Sequence, residues 1–359
     1  MDQVIKTGPL LFSEFMELAL YHPSEGYYCK GLDQVGIRGD FITSVSTGGL
    51  FGALLCEQFL EWEQSPCLKL GQPRHWIESG AHDGQLAADI LDHCKIAAKS
   101  VYTELKYLII EPSARRRQAQ EQTLAAHLSH VSWCHSFDDL ADHSIEGIIF
   151  SNELLDALPV DRISWDPSSS SWFPWFVTVN DSKLAWCRQP GPYPKEIHQF
   201  SDSVPAAIRA HLPNGFTTEL GVAAAKWWSE AAKKLKRGML LGIDYGLREE
   251  EFFAPHRYEG TLRAYSKHRQ STDLLLNPGQ QDITAHVNFT RIEQSGLEAG
   301  LSSKGLQSQE AFLMGVVKNL MTLKPQSPLL EKERLRPLQA LVHPSHFGRS
   351  FSVLIQART

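Results

Sequence analysis

The stretch Trp76-Ile77-Glu78-Ser79-Gly80-Ala81-His82-Asp83-Gly84 runs into the apolar-periodic segment Gln85 to Lys99 and reads as strand, tight turn and helix. The strand ends on an acid, Glu78, and two glycines four apart bracket the turn. Gly80 permits the tight turn and a close approach to a ligand, and Gly84 lets helix pack on strand. A dinucleotide loop would read Gly-x-Gly-x-x-Gly, its middle glycine admitting a pyrophosphate. The string Gly80 to Gly84 lacks that glycine and that spacing, and no Walker loop occurs.

Downstream the same texture repeats. Tyr107 to Ile110 reads as a second strand ending at Glu111, Ser113 to Leu128 as a helix, and Val131 to Cys134 as a third strand. Gly147 to Phe150 is a fourth strand running into Ser151-Asn152-Glu153, Val222 to Lys236 is a helix, and Met239 to Ile243 is a fifth strand ending at Asp244. Helices over Asn288 to Ala299 and Glu310 to Leu323 precede a last strand, Phe351 to Gln356. Strands alternating with helices predict an α/β fold with a doubly wound, mostly parallel sheet built of right-handed units.

Around this core, residues 1–70 read as an N-terminal helical extension. Phe12, Phe15, Met16, Ala19 and Leu20 recur at helical spacing, a Gly-rich loop spans Gly26 to Gly39, and an apolar helix runs from Leu50 to Trp62. Residues 71–164 form the first part of the core. Residues 165–235 are an insertion whose aromatic run, Trp165 to Trp186, predicts a β-hairpin turning near Asn180-Asp181 with its tryptophans packed on the sheet. Residues 236–359 complete the core, with 247–285 a long substrate-side connection.

Composition limits the possibilities. The net charge of −6, from 35 basic and 41 acidic residues, argues against a sequence-independent grip on nucleic acid. The compact run Arg115-Arg116-Arg117 reads as a solvated helix face. Six cysteines make no Cys-x-x-Cys pair and no zinc spacing with histidine, so no metal is expected and the thiols read as reduced. No apolar run approaches the ~18 residues of a membrane span. No basic region precedes an apolar stretch at the N-terminus, and the leader composition of a mitochondrial precursor is missing, so the cytoplasm is the expected compartment.

Ligands of open α/β sheets bind at the carboxyl ends of the strands. Those ends here carry Glu78, Glu111, Asn152, Glu153 and Asp244, a crown that would repel a pyrophosphate and hold a ligand with hydroxyls and a positive centre. S-adenosylmethionine has both. Glu78 is suited to its ammonium group and Glu111 to its ribose hydroxyls, although an acid at the second strand end also serves NAD and FAD, or simply caps a helix. Asn152 can bond in either sense. Glu153 can orient an acceptor nitrogen and take its proton. Asp156 can equally cap a helix, and Leu154, Leu155 and Leu158 are core.

The ordered strings resemble one family, the MidA-like methyltransferases, which include the mitochondrial complex I assembly arginine methyltransferase. They are Phe15-Met16-Glu17-Leu18-Ala19-Leu20-Tyr21-His22-Pro23 with Gly26-Tyr27-Tyr28; Gly39-Asp40-Phe41-Ile42-Thr43-Ser44; the Glu78 to Gly84 turn; Asn152-Glu153-Leu154-Leu155-Asp156-Ala157-Leu158-Pro159-Val160; Ile243-Asp244-Tyr245-Gly246; Thr261-Leu262-Arg263-Ala264-Tyr265; and Asp282-Ile283-Thr284-Ala285-His286-Val287-Asn288-Phe289. The resemblance implies a class I methyltransferase core, Rossmann-like and doubly wound, with a helical extension and an inserted hairpin and helical region on the substrate side. It implies S-adenosylmethionine as cofactor, held by Gly39, Asp40, Phe41 and Thr43 of an overlying loop together with Glu78, Gly80, Gly84, Glu111 and Asn152. It implies an arginine of a protein partner as acceptor, with a respiratory complex subunit among the candidates. Glu153 is then the first candidate to orient the guanidinium and accept its proton, Asp244 the second, and Asp156 and His286 follow.

Two departures stand out. His82 occupies the second glycine of the family's Glu-x-Gly-x-Gly-x-Gly turn, so its side chain must point away from the cofactor or touch it. The loop after Thr43 reads Ser44-Val45-Ser46 where the family continues into Pro-Glu. The alternative reading is a methyltransferase fold that has lost transfer and serves as an assembly factor holding a partner protein. A dinucleotide or nucleotide-sugar enzyme is disfavoured by the missing glycine.

Overall fold

The computed structural model describes residues 8–30, 44–66, 68, 70–266, 269–343 and 347–359. The chain divides into two compact units, one drawn from 32–155, 227–246 and 292–359, the other from 1–31, 156–226 and 247–291.

The first unit holds the parallel sheet. Its strands include β1 (Arg74–Ser79), β2 (Leu105–Ile110), β3 (Val131–Cys134), β4 (Ile145–Asn152), β5 (Leu235–Leu247), β6 (Ser302–Ser308) and β7 (Phe351–Arg358). Their order is β6-β7-β5-β4-β1-β2-β3. β1 to β5 pair in parallel, while β7 runs antiparallel between β5 and β6. β4 is buried at nearly every position, as the near-continuous apolar run Ile148-Ile149-Phe150 requires of a strand covered on both faces. The chain direction of the strand order reverses between β1 and β4, which makes their carboxyl ends the switch point.

Helix α1 (Leu50–Gln64) is buried along all of Leu50 to Leu60. Its Phe59 packs 5.3 Å from the ring of Trp76 on β1 and 5.1 Å from Phe150 on β4. On β5 a glycine is obligatory. A Cβ on Gly242 would stand 2.7 Å from Cζ3 of Trp228, a fully buried ring whose indole nitrogen donates to Gln356 Oε1 at 2.6 Å.

Among the described residues the second unit contains three small sheets. Leu10–Leu11 pairs with Phe176–Asn180, which pairs with Lys183–Cys187; Asp161–Asp166 lies between Thr217–Leu220 and Ser171–Pro174; and Arg263–Ser266 lies between Arg269–Ser271 and Asp282–Thr284. The helix Phe12–Tyr21 buries Phe12, Phe15, Met16, Ala19 and Leu20 against Val177, Leu262 and Ile283, following the helical spacing of the sequence. Trp165 and Trp172 form a separate core with Phe200 and Phe216, so these tryptophans pack a sheet.

Three expectations need correction, and one strand was not expected. The aromatic run is two hairpins in two different sheets, and only the second turns at Asn180-Asp181. The connection 247–285 carries three strands of its own. The helix expected over Ser113 to Leu128 stops at Thr123 and continues as a single tight turn, Ala125–His127. Ser302–Ser308 is an edge strand whose polar sequence carries no apolar alternation, so only pairing with β7 reveals it. Cys29, Cys56, Cys94, Cys134 and Cys187 make no disulfide, and Cys67 lies outside the described residues.

Gly242→Val would drive a branched side chain into the Trp228 ring. The expected loss is about 1–3 kcal/mol of unfolding free energy by urea titration, the range for overpacked cores; an unchanged midpoint would show that the ring can move aside.

Candidate active site

β1 delivers Glu78 to the switch point with only 2 % of its surface exposed. The phenol of Tyr107, one strand away on β2, donates to Glu78 Oε2 at 2.6 Å. Burial pushes the carboxyl up to about 7, and the Tyr107 bond opposes that shift. A carboxylate with one donor in so dry a place is poised for a cation, since an opposite charge would restore its ionised form.

The turn after β1 places three of five residues in the left-handed region, Gly80 at φ +80°, His82 at φ 48° and Gly84 at φ +87°. Gly80 and Gly84 take that conformation without strain, and a Cβ on Gly80 would come 3.0 Å from the Leu154 side chain. His82, where the related pattern has glycine, takes it at a cost on the order of 1 kcal/mol. Its carbonyl accepts from Gln120 Nε2 at 3.0 Å, and its own Nε2 is buried without a hydrogen-bond partner among the described residues. Gly84 opens helix α2 (Gln85–Ala97).

β2 ends on Glu111, which is 4 % exposed. Oε1 accepts the Ser113 N–H at 2.9 Å and Oε2 accepts Gln120 Nε2 at 3.2 Å. Burial raises its pKa, and these donors together with Arg116 and Arg117 oppose the rise. Ser113 meanwhile caps helix α3 (Ala114–Thr123) with its own hydroxyl. Each carboxylate oxygen keeps a lone pair for a further donor, as a pair of vicinal hydroxyls requires.

β4 ends on Asn152, and Glu153 follows with φ 52°. Asn152 Nδ2 and the Ser44 N–H both donate to Glu153 Oε1, at 3.2 and 3.1 Å. That leaves Asn152 Oδ1 buried with no partner among the described residues. Desolvation raises the Glu153 carboxyl to about 8, with Asp244 adding repulsion. Asp244 is fully buried; its Oδ2 accepts the N–H groups of Leu154 and Leu155 at 3.1 and 2.7 Å, and Oδ1 that of Tyr245 at 2.8 Å. It lies inside β5, one residue past the last parallel pair with β4, where a strand end was expected. Through these backbone donors Asp244 shapes the turn that carries Glu153.

Asp156 and His286 belong to the other unit. The Asp156 carbonyl accepts from the Ala285 N–H at 2.9 Å, and the His286 N–H donates to Thr261 Oγ1 at 3.0 Å. Gly39, Asp40, Phe41 and Thr43 lie outside the described residues. Ser44 ends the Gly39 to Ser44 loop that the resemblance puts over the cofactor, whereas Tyr107 and Gln120 were not expected at the site. No local signal marks them, because each acts across a strand or helix from the residue it serves.

These residues fit S-adenosylmethionine. An orphaned amide oxygen and an under-donated carboxylate suit a positively charged amine, a carboxylate with spare lone pairs suits a ribose, and the glycines leave room beside them. The comparisons agree. Residues 54–307, more than half of the chain, match the family model described as "Putative S-adenosyl-L-methionine-dependent methyltransferase". Over nearly the whole chain the sequence is similar to relatives named protein arginine methyltransferase NDUFAF7, mitochondrial. The Danio rerio protein is 26% identical across 99% of this chain and 86% of its own, and the Homo sapiens protein 26% across 98% and 81%. A crystal structure from Burkholderia thailandensis bound to S-adenosyl-homocysteine superposes with a TM-score of 0.84 at 29% identity, covering 99% of this chain and 90% of that one. The fold and site therefore define an S-adenosylmethionine-dependent methyltransferase of class I. The chain belongs to the family that this model describes, and S-adenosylmethionine is its cofactor.

In the cofactor-free protein Glu78 holds its proton up to about pH 7 but releases it near its ordinary 4.5 once unfolded. Its contribution to stability is therefore full below the lower value and is lost as pH rises through the upper one. Glu78→Gln, which cannot ionise, should gain stability relative to the parent chain between about pH 5 and about pH 8. Urea denaturation at both ends checks this; a constant difference would show that Glu78 does not titrate there.

Proposed function

We propose that this methyltransferase modifies a guanidinium nitrogen of an arginine in a protein partner. The observation that carries the proposal is Glu153, a largely buried carboxylate in a left-handed conformation at the end of β4, steadied on one oxygen by Ser44 and Asn152. A left-handed non-glycine residue at a strand end is strained, and such strain gathers where a side chain must be aimed.

Bound S-adenosylmethionine supplies a methyl group on a sulfonium, an electrophile that needs no activation by metal. The protein must supply the rest. Arginine is protonated at neutral pH, its pKa lying above about 12. A carboxylate beside the guanidinium orients it and holds its N–H bonds in a fixed plane. As the nitrogen gains carbon it must release a proton, and Glu153 is the group placed to accept it. Burial makes this carboxylate a stronger base than an exposed one, and an approaching cation returns it to the ionised form.

The names of the similar proteins support arginine as acceptor and a protein as partner. On the sequence resemblance we infer a respiratory complex subunit as the first partner to test.

Glu153→Gln should lower transfer by about 100-fold or more, the usual contribution of a positioned acid or base, while S-adenosyl-homocysteine binding by calorimetry is retained. Full transfer in that variant would remove Glu153 from the reaction. For the parent chain, kcat/KM should rise with pH toward about 8, where the Glu153 carboxyl of the free enzyme ionises, and then level; a profile flat from pH 6 to pH 9, about three units wide, would contradict a base of this kind. Incubation with radiolabelled S-adenosylmethionine and host lysate, followed by mass spectrometry of the labelled protein, identifies the acceptor. Label on lysine or on a small molecule would overturn the arginine proposal.

A further inference from the structure

Gln120 lies on α3, fully buried, and its bonds reach beyond Glu111. Its side chain makes three hydrogen bonds. Oε1 accepts from the Trp133 indole nitrogen of β3 at 2.8 Å. Nε2 donates to the His82 carbonyl at 3.0 Å and to Glu111 Oε2 at 3.2 Å. An indole N–H can only donate, so it fixes which end of the amide is oxygen. The nitrogen must then face the two acceptors, one on the turn after β1 and one on the acid after β2. The backbone is as close as the side chain, for a Cβ on Gly84 would stand 3.3 Å from the Gln120 Cα.

We propose that Gln120 is a positioning residue for cofactor binding, whose single amide nitrogen couples the left-handed turn to the ribose-holding carboxylate. It rests on the reading of Glu111 as the ribose ligand. Both of its acceptors would otherwise be poorly served. His82 holds its strained φ with its half-buried carbonyl bonded to Gln120, and a carbonyl shielded from water without a donor is destabilising. Glu111 must stay ionised in a dry place to accept two hydroxyls, and a neutral donor on Oε2 keeps it so without claiming the whole oxygen. A lysine there would neutralise the acid and compete with the ribose. A glutamine neither carries charge nor donates elsewhere once its oxygen is committed to Trp133. The turn and the acid therefore move as one, and loss of the amide should be felt at the ribose more than in the fold.

The test measures binding of S-adenosyl-homocysteine and of its 2′-deoxy analogue by calorimetry to the full chain, with thermal unfolding alongside. In the parent protein the missing hydroxyl should weaken binding about tenfold or more, as expected for a hydrogen bond to a charged group. Gln120→Met keeps the length and removes both donations. It should weaken S-adenosyl-homocysteine about tenfold yet bind the two ligands within about threefold of each other. Trp133→Phe leaves Gln120 in place but frees its amide to turn over, and should shrink the same ratio with little change in Tm; it serves if Gln120→Met does not fold. Glu111→Gln is the control for the underlying reading. If it keeps the parent ratio, Glu111 does not hold the ribose and that reading fails. If Glu111→Gln collapses the ratio but Gln120→Met and Trp133→Phe keep it, the positioning role fails. Equal loss of both ligands in Gln120→Met, with the ratio kept, would mark Gln120 as a packing residue only and overturn the proposal.

Discussion

A buried Asp244 accepting the N–H groups of Leu154 and Leu155 is the bond on which the reactive end of the sheet depends. The chain leaving β4 cannot continue as a strand, because at that point it must present Glu153 in a left-handed conformation. Two peptide N–H groups are freed by the turn and need an acceptor in a place without water. A carboxylate oxygen on the neighbouring strand answers both. The Glu153 N–H meanwhile stays with the sheet by donating to the Ile243 carbonyl at 2.9 Å. The turn is thus held at both ends, and the Glu153 side chain inherits a fixed origin.

The remaining acids obey the same accounting in different degrees. Asp244 accepts backbone donors on both oxygens. Glu111 has one donor on each oxygen and keeps capacity for more. Among the described residues Glu78 has a single phenol, and Glu153 has two donors on one oxygen. The number of donors, rather than the mere presence of acids, sets these carboxylates apart. A buried carboxylate with too few donors shifts toward its protonated form. The ligand that repairs the deficit must bring cationic or hydroxyl donors, which is the chemistry of the cofactor and of a guanidinium acceptor alike.

Much of the core was legible along the chain. Apolar runs with helical stretches between them announced β1 to β5, and the ordered strings from Phe15 to Phe289 announced the family. The acids at the strand ends were visible because a strand end is a local event. The harder parts were those made by contact between distant segments. Ser302–Ser308 has the composition of a loop and is a strand only because β7 lies beside it. Trp165 and Trp186 sit in one aromatic run yet join different sheets, since the break at Trp175 leaves no mark in hydrophobicity.

His82 shows the division most clearly. The sequence by itself determined that a side chain stands where the related pattern has glycine, and that it must lie in a cofactor turn after an acidic strand end. It also determined the class of chemistry, because the type and spacing of Glu78, Gly80, Gly84 and Glu111 are properties of the chain alone. Only the tertiary structure decided that His82 is tolerated at φ 48°, since the donor to its carbonyl comes from Gln120, 38 residues away. Tertiary structure likewise decided that Asp244 accepts the N–H groups of Leu154, Leu155 and Tyr245 and so clasps a turn. The physical reason is common to both: a hydrogen bond's worth depends on how dry its surroundings are and on which distant groups the fold brings within reach, and neither is written in local sequence.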